Sequence, residues 1–188
     1  MNAPPNPFWE FSVKLYQNNS VATACIALQD RHQPIADVDV NILLLCVWAA
    51  TSGHGELEGQ DLLRAVAAVT PWRRDVLLHL RTARGHLSKG VKPVPKDIAA
   101  ELRAEAIHAE LEAERIEQLL LVQLVEVQKT TLSPGVNAAE IAATSFARYF
   151  AHLGVIPNKE DDADLAAILE GAFPEEEAGP DPSLRFRR

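Results

Sequence analysis

Residues 37–50 read DVDVNILLLCVWAA, and this stretch decides the fold. Every residue from Ile42 to Ala50 is apolar, so a helix over this range has no polar face. A helix that is hydrophobic all round belongs in the interior of a protein. The short carboxylates of Asp37 and Asp39 stand just before the apolar run, at positions where helix N-caps are expected. The stretch therefore predicts a central, buried helix that begins at Asp37 or Asp39.

Helical periodicity continues on both sides of this central helix. Asn6 and Pro7 form a cap-plus-proline start for the first helix, and Ser20 is the expected cap of the second. Thr70 and Pro71 repeat the cap-plus-proline pattern. No segment shows the sustained alternation that is typical of β-strands. Further helices are predicted over residues 61–69, from Thr70 to Gly90, over 95–129, 137–153 and 162–173.

These elements predict an all-α fold. We expect a compact bundle of six to eight helices with one long helix over about residues 95–129. Its seam is predicted from apolar residues at three- and four-residue steps, from Leu102 through Ala113 to Leu120. The expected organisation is a helical domain over residues 7–157, an appended helix over 158–174 and a disordered, charged tail over 175–188.

Composition narrows the class of protein. The chain has 188 residues, is 47% hydrophobic and carries a formal net charge of −8. This charge repels phosphate backbones, so we expect no nucleic-acid partner. Cys25 and Cys46 lie in apolar runs without metal-ligand spacing, which favours buried thiols in a reducing compartment. The N-terminus has no signal-peptide pattern and the apolar runs are too short to span a membrane, so we expect a cytoplasmic protein.

The densest polar cluster surrounds the start of the central helix. Asp30 ends the second helix, His32 follows, and Asp37 and Asp39 begin the third. One interpretation is structural, with Asp37 and Asp39 as caps and Asp30 in an ion pair, for which Arg31 is a candidate. The other interpretation is a divalent-metal or acid–base site that uses Asp30, Asp37 and Asp39 with His32.

A row of arginines follows Pro71. Arg73, Arg74, Arg81 and Arg84 fall within about 100° of arc on one helix, beside its apolar stripe. Arg73 and Arg81 are candidates for clamping an anionic ligand next to the aspartates, and Arg74 and Arg84 for binding an acidic partner. Alternatively, the arginines pair with carboxylates of the same chain, and the glutamates of the long helix, from Glu101 to Glu117, are available for this.

Motifs for cofactors and catalysis are absent from the sequence. Glu105 and His108 form an ExxH pair, but di-iron bundles need two such motifs plus further glutamates, and a second ExxH does not occur. The chain also lacks the glycine-rich, nucleophile-elbow and HExxH patterns. We therefore predict no metal site and no cofactor.

Four segments together carry a family resemblance. FWEFSVKLY (8–16), ACIALQD (24–30), DVNILLLCVW (39–48) and the helix from Trp72 to Arg84 resemble the pattern FWxFSLxLY, ACLxLQD, DVNLLLxxxW and PLRxxR. This pattern is that of a small proteobacterial family of conserved helical proteins of unknown function. The likeness covers about residues 7–130. It implies a helical fold and a bacterial origin, and it implies no activity.

The preferred functional interpretation is a protein-interaction or self-association module without catalytic activity. It rests on the lack of a nucleophile–base set and on the apolar excess of Leu119–Leu120–Leu121–Val122 in the long helix. Its partner would be an unidentified protein or a second copy of the chain. The alternative is a small-molecule or metal-binding protein, or an enzyme, that uses Asp30, Asp37 or Asp39 with Arg73 or Arg81 at one end of the bundle.

Overall fold

The computed structural model describes residues 6–32, 38–126 and 137–174. As predicted, the fold of these residues is all-α, with one long helix, and only Val91 and Val94 form an isolated β-bridge. No helix among the described residues has both the length and the apolar character needed to cross a bilayer. The helices are α1 (Pro7–Leu15), α2 (Asn19–His32), α3 (Val40–Thr51), α4 (Gly59–Trp72), α5 (Leu78–Lys89), α6 (Ala100–Glu126), α7 (Ala138–Leu153) and α8 (Lys159–Ala172), with a π-helical segment, Arg73–Leu77, between α4 and α5.

Helix α3 lies at the centre of the bundle. It contacts α1, α2, α4, α6 and α7, and every side chain from Val40 to Ala50 is buried. The helix begins as expected, because the Asp39 side chain accepts a hydrogen bond from the Asn41 N–H at 2.9 Å. Burying one large aliphatic side chain contributes about 1.5–3 kcal/mol, so this helix supplies much of the stabilising apolar area.

Two predicted helix starts are wrong. The second helix begins at Asn19, and Asn18 rather than Ser20 supplies the side-chain acceptor, which receives the Ser20 N–H at 3.0 Å. Thr70 and Pro71 do not start a helix. Instead α4 continues through Pro71 into the π-helical segment and α5 without a break, and Thr70 Oγ1 donates back to the Val66 carbonyl at 2.6 Å. The cap-plus-proline pattern therefore lies inside one long helical run.

The buried face of α6 also differs from the predicted seam. Leu102 is 61% exposed, and Leu120 is exposed as well. The buried positions instead include Glu110, Glu117 and Gln118, while Leu121 and Val122 enter the core. The apolar excess that favoured an external partner is therefore largely used inside the chain. Against the predicted range of 95–129, the long helix begins at Ala100, and residues 127–129 lie outside the described range.

Helices α7 and α8 complete the core. Asn137 caps α7 and Asn158 caps α8, the latter in a reciprocal capping box with Asp161. Helix α8 packs on α2 and contributes Leu165, Ile168 and Leu169 to the same hydrophobic core as α3. Phe173, which directly follows α8, joins this core as well. The division at residue 158 stays a prediction, and the tail predicted over 175–188 lies outside the described residues.

Candidate functional site

A buried polar network lies where α3 meets the π-helical segment, α6 and α7. Asp39 Oδ1 is 3.1 Å from Arg73 Nη1, and both side chains are almost fully buried. The Asp39 N–H donates to the Tyr149 hydroxyl at 2.8 Å. Asn41 Nδ2 donates to Glu117 Oε2 at 3.1 Å. Asp39 and Arg73, two of the residues predicted for the aspartate–arginine site, therefore form an ion pair, and it lies inside the protein.

Glu117 is fully buried and interacts directly with Asp39. Burial raises the pKa of Glu117 well above its usual range, and the negative charge of Asp39 raises it further. Asp39 Oδ2 and Glu117 Oε1 accept no hydrogen bond from N–H or O–H groups of the described residues. A proton shared between the two carboxyl groups would satisfy both oxygens. The raised pKa of Glu117 favours its protonated form beside Asp39, and Arg73 lies against the Asp39 carboxylate.

A second set of ion pairs joins α5 to α6. Arg81 Nη2 is 2.7 Å from Glu114 Oε1, and Arg84 Nε is 2.5 Å from Glu110 Oε2. Arg81 Nε lies 3.4 Å from Glu110 Oε1, so Glu110 bridges the two arginines. Desolvation raises the pKa of Glu114, although the hydrogen bond and charge of Arg81 lower it. These contacts match the internal-pairing alternative for Arg81 and Arg84.

The C-terminal end of α2 is held by α8. Arg31 contacts Asp161 at 2.5 Å and Asp164 at 2.7 Å, and His32 Nε2 lies 2.8 Å from Asp161 Oδ1. Arg31 therefore pairs with α8, and no ion pair between Arg31 and Asp30 is present. The cysteines of the bundle are buried, and burial raises the pKa of Cys25 to about 12.

A cavity of about 550 Å³ opens beside these ion pairs, between α1, α2, α5 and α6, with α3 at its base. Val13, Tyr16, Ile26 and Leu111 surround it, four of the eleven exposed large hydrophobic side chains of the described residues. Its other lining residues are Trp9, Ser12, Gln29, Asp30, Val40, Asn41, Leu44, Arg81, Arg84, Glu110, Glu114 and Gln118. The site thus combines an apolar wall with a charged, hydrogen-bonding end.

Three side chains at this cavity are more than nine-tenths buried and carry polar atoms without a hydrogen-bond partner in the described parts of the chain. These atoms are Ser12 Oγ, Gln118 Oε1, and Nη1 and Nε of Arg81, of which Nε lies 3.4 Å from Glu110 Oε1 in an ion pair. Leaving a buried donor or acceptor unpaired costs about 1–3 kcal/mol. Functional sites are places where such unpaired groups occur, because a ligand can satisfy them.

The structure separates the predicted site residues into two groups. Asp30, Arg81 and Arg84 line the cavity, whereas Asp39 and Arg73 belong to the buried network beneath it. Arg74 is exposed and pairs with its neighbour Asp75. Asp37 lies outside the described residues. Within the described ranges, no three His, Cys, Asp or Glu side chains form a group that could hold a metal ion.

Sequence reasoning missed the residues that give the cavity its shape. Trp9 and Val13 of α1 and Tyr16, which directly follows α1, form an apolar stripe that lines the cavity. The four- and three-residue spacing of these side chains was the available signal. Gln118 carries no comparable signal, because its burial depends on Asn41, which lies 77 positions away and accepts from Gln118 Nε2 at 2.7 Å.

The fold and site define an all-helical protein with a mixed polar and apolar cavity set over a buried ion-pair network. The chain belongs to the family described as protein of unknown function (DUF2390), which it matches over residues 7–121. The predicted membership of a family of unknown function is thereby confirmed. No curated protein and no solved structure gives a significant match. Every residue that lines the cavity, from Trp9 to Gln118, falls within the matched range, whereas α7 and α8 do not.

Proposed function

We propose that this chain is a small-molecule-binding protein and that the cavity between α1, α2, α5 and α6 is its binding site. The observation that carries the proposal is the cavity itself. Its volume of about 550 Å³ falls in the range of ligand sites, and it combines an apolar lining with a few convergent polar groups, as such sites do. Asp30 and Arg81 from the predicted aspartate–arginine site lie in it.

Thermal melting with a compound panel tests this proposal. The panel contains polar and aromatic metabolites, with Mg²⁺, Mn²⁺, Zn²⁺ and EDTA as separate arms. A ligand present at about 100 times its Kd stabilises the folded state by about 2.7 kcal/mol. For a chain of this size that corresponds to a rise in Tm of roughly 5–10 °C. We expect such a shift with at least one compound of the panel.

A matched pair of variants assigns the shift to the cavity. Ile26 on α2 and Leu63 on α4 are both exposed, but only Ile26 lines the cavity. Ile26→Trp fills the opening and should remove the shift, whereas Leu63→Trp should keep it. A panel without any shift, or an equal shift in both variants, would contradict the proposal.

A second candidate function is self-association, and a specific surface favours it. Val91, Val94, Ile98 and Leu102 are all exposed where α5 connects to α6. Two lysines and two acidic residues are interspersed with them over residues 92–101. Because a two-fold interface brings the same patch of both copies together, a patch with both signs of charge can be complementary to itself.

Light scattering of the purified chain tests this second candidate. We expect a dimer that Ile98→Glu or Leu102→Glu converts to a monomer, because either change buries an unpaired carboxylate in the interface. Leu63→Glu, on a different exposed surface, is the control and should leave the dimer intact. A monomer at high protein concentration would exclude this interface.

A further inference from the structure

The polar end of the cavity presents a defined hydrogen-bonding pattern. Asn41 Nδ2 donates to Glu117, so Asn41 Oδ1 is the acceptor that Gln118 Nε2 contacts at 2.7 Å. This orientation leaves Gln118 Oε1 as a buried acceptor without a partner in the described residues. Arg81 Nη1 is a buried donor that also has no hydrogen-bond partner in the described residues. A complementary ligand must therefore offer a donor to Gln118 and an acceptor to Arg81.

The charges around this end disfavour a charged ligand. Arg81 and Arg84 are each paired with a glutamate of α6, Glu114 and Glu110. An anion that approaches Arg81 meets two carboxylates, and a cation meets two guanidinium groups. Like charges brought together in a poorly hydrated site are costly. Asp30 adds one negative charge, but its side chain is exposed at the opening.

The apolar wall indicates the shape of the ligand body. Trp9 and Tyr16 bring two aromatic rings from α1, and Val13, Ile26 and Leu111 add aliphatic surface. Aromatic side chains pack well against flat rings in offset-stacked or edge-to-face arrangements. The wall therefore favours a planar aromatic body over a branched or strongly hydrated one.

Resting on the ligand-binding role proposed above, we propose that the cavity selects an uncharged, planar aromatic molecule with an amide-type edge. Such an edge carries an N–H donor beside a carbonyl acceptor, as a carboxamide or a lactam ring does. The N–H would bind Gln118 Oε1 and the carbonyl would bind Arg81 Nη1, while the ring packs against α1.

Three compounds of matched shape test the head group. Indole-3-acetamide is neutral, indole-3-acetate is an anion and tryptamine is a cation at pH 7, and calorimetric titration of the full chain gives the Kd of each. We expect the amide to bind at least 10-fold more tightly than the other two. Equal or tighter binding of the acetate or of tryptamine would overturn the head-group assignment.

The same titrations separate this inference from the proposed function. If none of the three compounds binds while another member of the melting panel does, the ligand class is wrong and the binding function stands. If no compound binds at all, both fail.

A variant then tests Gln118, the residue proposed to accept the hydrogen bond of the amide N–H. Gln118→Met removes the acceptor at similar side-chain volume. It should weaken indole-3-acetamide binding at least 10-fold and leave 3-methylindole, which lacks a head group, nearly unchanged. Where Gln118→Met melts early, Arg81→Lys replaces it as a test of the donor, because lysine keeps the charge opposite Glu114. An amide affinity that neither variant changes would contradict the assigned contacts.

Discussion

At the scale of single residues, the main feature is that buried charged side chains lie against side chains of opposite charge. Burial and the neighbouring Asp39 raise the pKa of Glu117, and Arg73 pairs with Asp39. Arg81 bridges Glu110 and Glu114 in the same way. Each of these groups would be costly to bury alone, because a charge removed from water needs a partner. The cavity therefore has a rigid polar base whose side chains are held by several partners.

Replacing Glu117 tests its protonation. Glu117→Gln keeps an acceptor for Asn41 and a donor for Asp39 but cannot ionise. In the wild type the folded state holds a proton that the unfolded chain releases above the ordinary glutamate pKa of 4.5. Wild-type stability should therefore fall as pH rises, by about 1.4 kcal/mol per pH unit between roughly pH 5.5 and 7.5. The stability advantage of Glu117→Gln should grow by the same amount.

Urea denaturation at a series of pH values measures this slope. Glu105→Gln is the control, because Glu105 is an exposed glutamate of the same helix. Its stability should follow the wild type across the series. A constant difference between Glu117→Gln and the wild type would mean that Glu117 is ionised in the folded protein.

At the scale of elements, the sequence predicts a helix well where the information is local. Helix α3 follows from an unbroken apolar run with an aspartate cap, and α7 from Asn137 and an amphipathic pattern. The prediction that a helix starts at Thr70 was wrong. A threonine followed by a proline is also compatible with a helix interior, because the threonine hydroxyl can donate to the carbonyl four residues back. The predicted buried face of α6 was wrong because Glu110 is buried against arginines of α5 and Glu117 against Asn41 and Asp39. These pairings join residues that are distant in the sequence, so periodicity does not show them.

The contact between α2 and α8 depends on a glycine. A Cβ atom at Gly171 would lie 2.3 Å from Val21 Cγ2, and Val21 is fully buried and cannot move away freely. Gly171→Ala should therefore lower the free energy of unfolding by about 1–3 kcal/mol, the usual cost of overpacking. Chemical denaturation measures it.

Gly85 supplies the matched control for this substitution. It lies within α5, and a Cβ at this position meets no atom within 4 Å. Gly85→Ala should raise stability by about 0.5–1 kcal/mol, because alanine loses less backbone entropy in a helix. Equal effects at the two positions would show that α8 does not pack on α2 this closely.

At the scale of the whole molecule, α8 is held to the bundle by ion pairs to α2 as well as by its apolar face. Asp161 caps α8 through Asn158 and also contacts Arg31 and His32 of α2. Burial acts to raise the pKa of Asp161, but hydrogen bonds from the Asn158 backbone, His32 and Arg31 outweigh it, so the pKa is lowered. The candidate cavity lies on other helices and within the family match, so α8 can be perturbed without changing the cavity's lining residues.

Hydrogen exchange of the α8 amides measures how much the contacts of Asp161 stabilise α8. A lowered pKa means that Asp161 stabilises the fold above its unfolded pKa near 3.8, and that this contribution is lost as pH falls further. At pH 7, Asp161→Asn should reduce protection of α8 about 10-fold or more, since hydrogen bonds to charged groups contribute about 1.5–3 kcal/mol. Below about pH 3.5 the difference should shrink.

Glu160→Gln is the control for this experiment. Its side chain is 79% exposed and it touches Arg31 only at 3.4 Å. It should change the protection of α8 little at any pH. If the difference in α8 protection between Asp161→Asn and the wild type persists at acidic pH, the charge of Asp161 does not stabilise α8.

The π-helical segment holds one extra residue of the chain without changing the orientation of α5. In this segment the Leu78 N–H bonds to the Arg73 carbonyl, five residues back, so the turn holds one residue more than an α-helical turn. Because the segment holds its extra residue within one turn, deleting Asp75 would restore regular α-geometry and leave α5 in its orientation. Deleting His79 from the regular first turn of α5 would instead rotate the rest of α5 by about 100°. Arg81 and Arg84 would then leave the cavity together. We therefore expect relatives that keep this cavity to tolerate the loss of one residue within the π-helical segment, but no insertion or deletion between Leu78 and Arg81.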